Sequence, residues 1–244
     1  MINGQFILAV IPARGGSKDL PNKNLKRLGG LPLVAHTILA AKQAATLDRI
    51  ILSTDSPEIA KVGKRYGVEV PFLRPAGLAT DDAPMTPVLA HAVSWAEKDH
   101  GKPVDVVVSL QPTSPLRRPQ HIDDGIHLLF KSGAESVVGL CQARHNPYWM
   151  WVIRDGEVMR LFSEGWNFQR RQDLPVVYRV NGAFYANQRH VIMEYGRILG
   201  KTIRGLIMTE EDSIDIDSSL DFTLAQTLLR SRRKMLRKHS AKPV

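Results

Sequence analysis

Short apolar runs and stretches of helical period take turns along the chain from Phe6 to Gln142. Phe6–Ile11, Arg49–Ser53, Val68–Leu73, Val104–Leu110 and Ser136–Leu140 have strand length and are rich in Val, Ile and Leu. Between them, Leu33–Ala44, Pro57–Tyr66, Val88–Lys98 and Ile122–Lys131 read as helices, with Pro32 and Pro57 near first helical positions and Ser56 as an N-cap. This alternation predicts an α/β fold with a doubly wound, mainly parallel sheet. Beyond Gln142 the pattern changes. Tyr148–Ile153 is apolar and aromatic, Asp155-Gly156 marks a hairpin turn and Val176–Ala186 reads as further strand, so residues 143–180 are expected to form a small inserted antiparallel lobe. The core then resumes with a strand over Ile203–Met208, a short acidic segment over Ser213–Asp217 and a closing helix over Ser219–Lys238. One domain spanning residues 1–244 accommodates all of this, with no internal repeat.

The formal charge of +9 changes the picture only at one end. Residues 230–244 hold seven Lys and Arg and no acid; without them the 33 basic residues fall to 26 against 24 acidic. The excess is a basic C-terminal tail, expected to be a solvated helix end with its cations at the favourable pole of the helix dipole and not a nucleic-acid site. Cys141 is the sole cysteine, which excludes an intrachain disulfide and a cysteine-based zinc cluster. No basic leader and no apolar stretch of roughly 18 residues is visible, so a cytoplasmic protein with no membrane partner is expected.

The chemistry concentrates where strands end. After the first strand, Ala13-Arg14-Gly15-Gly16-Ser17-Lys18, followed by Lys23 and Asn24, combines glycines that let backbone N–H groups approach an anion with cations that offset a polyphosphate. It is neither a P-loop nor a dinucleotide fingerprint. A surface turn with solvated lysines is the alternative for the loop alone. Asp215 and Asp217 are its natural counterpart: strand alternation would put both carboxylates on one side, suiting Mg²⁺ shared with nucleotide phosphates. Ser109–Arg117 follows the fourth strand at the carboxyl edge where open α/β sheets bind ligands, and its stiff Pro-bounded loop offers Gln111, Thr113 and Ser114 to a polyhydroxylated substrate. Arg171 and Arg179 are candidates for gripping an acid group. The eight histidines show no metalloprotease spacing, and no serine-hydrolase elbow is present. Trp149 and Trp151 read as core or subunit contact.

These motifs, together with Ser53-Thr-Asp55, Arg74-Pro-Ala and Arg179-Val-Asn-Gly-Ala-Phe-Tyr185, resemble the acylneuraminate cytidylyltransferase family in order along nearly the whole chain. The resemblance implies a Rossmann-like nucleotidyltransferase fold, Mg²⁺, a homodimer built through the inserted lobe, and transfer of CMP from CTP to a 2-keto-3-deoxy sugar acid with release of pyrophosphate. It further implies that Arg14, Ser17, Lys18, Lys23 and Asn24 bind CTP, with Arg74 and Ala83 near the base; Ala13, Gly15 and Gly16 are nucleotide-binding candidates from the loop itself. Gln111, Arg171, Arg179 and Tyr185 would contact the sugar acid, beside the loop candidates Thr113 and Ser114, and Asp215 and Asp217 the metal; Arg14, Lys23, Asp215 and Asp217 are the expected catalytic residues. Tyr148-Trp149 follows His145-Asn-Pro147 where a neuraminic acid enzyme of the family carries a lysine, which leaves open which nonulosonic acid is used. A nucleotidyltransferase for a sugar 1-phosphate and a non-enzymatic nucleotide-binding protein are the rival readings.

Overall fold

A computed structural model describes residues 2, 4–16 and 19–240, with side chains through Lys234. Its strands are β1 (Ile7–Pro12), β2 (Arg27–Leu28), β3 (Leu31–Pro32), β4 (Arg49–Ser53), β5 (Val106–Ser109), β6 (Ser136–Gln142), β7 (Trp151–Arg154), β8 (Glu157–Arg160), β9 (Tyr178–Gln188) and β10 (Ile203–Ile207). The α-helices are α1 (Leu33–Gln43), α2 (Pro57–Arg65), α3 (Met85–His100), α4 (Pro119–Ser132), α5 (Arg189–Met193) and α6 (Ser219–Ser240).

Six strands form one sheet in the order β10-β6-β9-β5-β1-β4, with β9 alone running against its neighbours. Both faces are covered, and β1 shows why. Ile7, Ala9 and Ile11 point into a core shared with α1, α2 and α4, whereas Leu8 and Val10 point into one shared with α3 and Ile192 of α5. A strand buried on both faces is an unbroken apolar run, which is how residues 7–11 read. Ser56 caps α2 by accepting from the Ile59 N–H at 3.3 Å, with Pro57 following.

Two expectations change. Val68–Leu73 is not a strand: its backbone pairs with the sheet only through isolated bridges, Ile51 to Glu69 and Thr54 to Leu73. Pro71 lies within this run and can donate no ladder hydrogen bond. The tail is also less free than its charge suggests: α6 carries it as helix to Ser240, its earlier turns pack through Phe222, Ala225 and Leu229 on Leu28, Leu33 and Ile216, and within the tail the Arg232 side chain is 18% exposed and paired with Asp212. In the 143–180 region, β7 and β8 pair only with each other, around an Asp155-Gly156 turn with φ of 51° and 83°. That is the hairpin conformation expected of this dipeptide.

Because five strands of the sheet run the same way, the loops after β1, β4, β5, β6 and β10 leave from one edge. β9 begins at that edge. The candidate site is built there.

Candidate active site

A cleft of about 280 Å³ opens between the loop after β1, the 74–88 segment and the loop after β5. Arg14, Gly16, Lys23, Asn24, Arg74, Ala83, Gln111 and Thr113 all line it. Three separated motifs of the sequence therefore share one wall-to-wall space. Asn24 is buried and gives its amide to the Arg14 carbonyl at 2.9 Å, which fixes the loop's return. Arg14 pairs across the cleft with Asp81. Ala13 is fully buried at the end of β1, its N–H donating to the Ser53 carbonyl at 2.9 Å. Ser17 and Lys18 lie outside the described residues.

The Gly15 N–H is engaged within the protein and not turned to a phosphate. That N–H donates to Asp55 Oδ1 at 2.9 Å, and a Cβ here would stand 3.1 Å from Ser56 Cβ, so the glycine serves close packing of the loop on the start of α2. Arg74 is likewise committed. Buried, it donates from Nε to Ser53 Oγ at 3.1 Å and from Nη2 to the Ser53 carbonyl at 2.5 Å, bracing the end of β4. Burial holds its pKa below the usual arginine value, Arg14 adding to this against Asp55.

The acidic segment crosses the same edge. It is not a strand: a 3-10 turn over Glu211–Ser213 leads into an irregular stretch. Its position is set by hydrogen bonds instead. Ile216 is fully buried and its N–H donates to the Thr113 carbonyl at 2.8 Å, tying the acids to the loop after β5. Asp215 and Asp217 flank Ile216. Lys23 Nζ donates to the Ile216 carbonyl at 2.7 Å and to Asp217 Oδ1 at 3.1 Å. Asp217 is 74% exposed, whereas Asp215 is half-buried and its Oδ1 has no hydrogen-bond partner. Burial pushes the Asp215 carboxyl above the usual carboxylate range and Asp217 pushes the same way, against the Thr113 hydroxyl, Lys23 and Arg179. A buried carboxylate oxygen left unpartnered beside a second, accessible carboxylate fits a hard divalent cation that also takes phosphate oxygens. Among the described residues no cluster of three or more His, Cys, Asp or Glu would hold a metal alone.

β9 supplies the far wall. Gly182 has φ of 71°, and a Cβ on it would lie 2.9 Å from Asp215 Oδ2 and 3.1 Å from Gln111 Oε1. Only glycine lets the strand, the acid and the amide come this close. Arg179 donates from Nη2 to the Ser213 carbonyl at 3.2 Å. Burial raises the Tyr185 pKa, with Asp215 contributing. Ser114 is buried behind the wall, its hydroxyl donating to the Asn181 carbonyl at 3.3 Å. Beneath it, Arg117 is buried and reaches the Ala183 carbonyl, Thr37 Oγ1 and the Gln111 carbonyl, holding the loop to β9. Burial pulls this guanidinium down to about 9, against Asp215, which leaves it charged at neutral pH. Arg171 is the one described candidate set apart. It lines a separate, larger cleft of about 1180 Å³ between the sheet edge and the lobe, with Arg144, His145, Trp149 and Glu210. Asp81 gave no signal as a site residue, because only its neighbours in space make it one, whereas Gly182 lay within the Arg179–Tyr185 motif without being singled out.

Over residues 8–220, from β1 into the first turn of α6, the sequence matches the family described as cytidylyltransferase. This chain is a member of that family. Among relatives of this cytidylyltransferase, a CMP-N,N'-diacetyllegionaminic acid synthase of Legionella pneumophila is 36% identical over 242 residues, covering 94% of this chain and 99% of its own. The N-acylneuraminate cytidylyltransferase of Escherichia coli is 34% identical over 230 residues, 93% of this chain but 53% of the longer relative. In three dimensions the chain is similar to a CMP:2-keto-3-deoxy-manno-octonic acid synthetase solved with CTP, with a TM-score of 0.70 at 18% identity over 93% of this chain and 100% of the other. The expected Rossmann-like nucleotidyltransferase fold is thereby borne out.

Proposed function

We propose that this cytidylyltransferase transfers CMP from CTP to the anomeric hydroxyl of a nonulosonic acid, a sialic acid or one of its relatives. The observation that carries the reading is the meeting of Lys23, Gln111, Asp215 and Asp217 at one sheet edge, with Gly182 allowing the close approach: a cation, an amide and two acids stand together. The full-length match to a synthase named for a diacylated nonulosonic acid supports the acceptor class.

In the reaction the anomeric oxygen attacks the α-phosphorus, the bond to the bridging oxygen of pyrophosphate breaks, and the hydroxyl proton is lost. Such transfers ask mainly for positioning and charge stabilisation. Arg14 and Lys23, which line the cleft, would meet the phosphates. Gln111, Thr113, Arg179 and Tyr185 would orient the sugar acid. Asp215 and Asp217 would hold Mg²⁺, which when bound offsets charge on the phosphates and on the departing pyrophosphate. Arg74 and Ala83 wall the cleft at the end assigned to the base. Ser53, fixed by Arg74, and Asp55, fixed to Gly15, keep that wall rigid.

A homodimer belongs to the same reading. Trp151, Ile153, Val158 and Trp166 are 48%, 74%, 60% and 66% exposed on the 143–180 lobe, a patch suited to a second copy. Among the described residues no helix is long and apolar enough to cross a membrane, and we assign the enzyme to the cytoplasm.

Pyrophosphate release from CTP, UTP, ATP and GTP with a panel of ulosonic acids tests the reading. CTP with a nonulosonic acid is expected to be the best pair. Equal rates with UTP, or preference for a sugar 1-phosphate, would overturn it.

A further inference from the structure

Among the described residues of the basic C-terminal stretch, Arg232 reaches the edge of the site. Arg232 of α6 donates from Nη2 to Asp212 Oδ1 at 2.5 Å and from Nη1 to the Leu116 carbonyl at 3.1 Å. One guanidinium thus joins the acidic segment to the loop after β5. Arg232 lies beyond residue 220, where the family match ends.

Asp212 is nearly fully buried, and its remaining contacts are Arg118 Nε at 3.1 Å, the Thr209 hydroxyl at 2.8 Å and His121 Nε2 at 3.7 Å. The next residue, Ser213, is held by Asn181 Nδ2 at 2.9 Å and donates its hydroxyl to the Thr209 carbonyl at 2.6 Å. Ile216 is held by Thr113. Ser213 adjoins Asp212 in the chain and only Ile214 and Asp215 separate it from Ile216, so a shift at Asp212 that draws Ser213 with it moves Asp215. We propose that Arg232 is a positioning residue: α6 clamps the acidic segment against the loop after β5 and so fixes where Asp215 stands. The inference rests on the role given above to Asp215. Without the guanidinium a buried carboxylate loses one of its two arginines, and the Leu116 carbonyl loses its donor.

Arg232→Met in the full chain, with Arg230→Met as a charge-loss control from an exposed position of the same helix, tests the clamp by hydrogen exchange without substrate and by steady-state kinetics. In Arg232→Met, exchange should rise by about threefold or more in peptides over 111–117 and 209–217 and stay unchanged in β4 and α2. Turnover should fall about tenfold while KM for CTP stays within about twofold, the split expected when geometry is lost and ground-state binding is kept. Arg232→Lys, which retains the charge but not the two-point fork, should fall between and serves if the Met variant folds poorly. Unchanged exchange at 209–217, a rise spread evenly over the chain, or a local rise with unchanged kcat would each overturn the clamp. Because exchange is read without nucleotide or metal, local loosening in a protein that failed to transfer CMP at all would uphold the clamp and sink the proposed reaction.

Discussion

Lys23 and Asp217, 194 positions apart in sequence, meet with Nζ 3.1 Å from Oδ1. The contact closes the basic loop after β1 onto the acids after β10, although β9, β5 and β6 intervene between β10 and β1 in the sheet. Lys23 is also tethered to the Ile216 carbonyl, and its side chain is only 14% exposed, so it is held in place before any substrate arrives. Pre-set charge costs little reorganisation when the transferred phosphorus develops charge.

Lys23→Met keeps the length of the stem and removes the charge. Turnover should drop by about 10²-fold, the weight of one pre-organised donor. Pyrophosphate release at saturating CTP measures it; a loss confined to KM would place Lys23 in ground-state binding alone.

Asp215→Asn should separate activity from stability. Burial raises the carboxyl's folded pKa above its unfolded value, so folding favours the protonated form: the ionised group's penalty is absent below the unfolded pKa and complete above the folded one. At neutral pH the isosteric amide removes that penalty and can still accept from Thr113. The melting temperature should rise, while turnover falls about 10³-fold or more with several kcal/mol of charge stabilisation gone. A melting temperature lowered at pH 7 would contradict the linkage.

The sheet was legible because β1 is apolar on every residue and β5 on three of its four, and because its helices carry their own punctuation, such as Ser56-Pro57 before α2. The cleft was legible in part because glycines and charges follow strand ends. What could not be read is which donors are already engaged. Gly15 looks like an anion-binding glycine until Asp55 takes its N–H, and Ser114 looks accessible until Asn181 takes its hydroxyl. Arg232 sits in a basic run that would look the same solvated or docked; only the fold brings it to Asp212, 20 residues earlier.

Gly182 and Gly101 share a φ of 71°, and this makes a matched pair. A Cβ on Gly101 meets nothing within 4 Å, whereas one on Gly182 meets Asp215 and Gln111. Gly101→Ala should cost about 1–2 kcal/mol of stability through backbone strain and leave kcat unchanged. Gly182→Ala should carry the same strain and also reduce turnover about 10²-fold by displacing Asp215. Equal kinetics in the two variants would show that Gly182 matters for conformation only.

Acid should weaken the fold well above the carboxylate range. Burial lowers the pKa of His36, His91 and His121, so the neutral rings are favoured in the folded state. Their contribution is complete above the unfolded value of about 6.5 and is lost as pH falls through the lowered folded values. Asp212 adds a second loss at lower pH: burial raises its pKa, but Thr209, Arg232 and Arg118 together bring it below the ordinary value. The melting temperature should be flat above pH 7 and decline toward pH 5. In His36→Gln, which can still donate to the Leu28 carbonyl, the decline should be shallower. A flat profile from pH 7.5 to 5 would falsify this account.

The lobe makes the last prediction. Ile153 and Val158 face each other across the β7–β8 pair, 74% and 60% exposed, and Trp151 stacks edge-on with Trp166 at 5.7 Å around the Arg160 guanidinium. A two-stranded hairpin with an apolar face open to water is marginal alone, and a second copy applying the same face would cover it. The double variant Ile153→Arg, Val158→Arg places like charges at the centre of that face and should shift sedimentation from dimer to monomer. Arg171, apart from the cleft that Arg14 and Lys23 line in its own chain, would then be supplied to the partner copy, so specific activity should fall with the dimer fraction on dilution. A fully active monomer at assay concentration would exclude both the interface and the shared site.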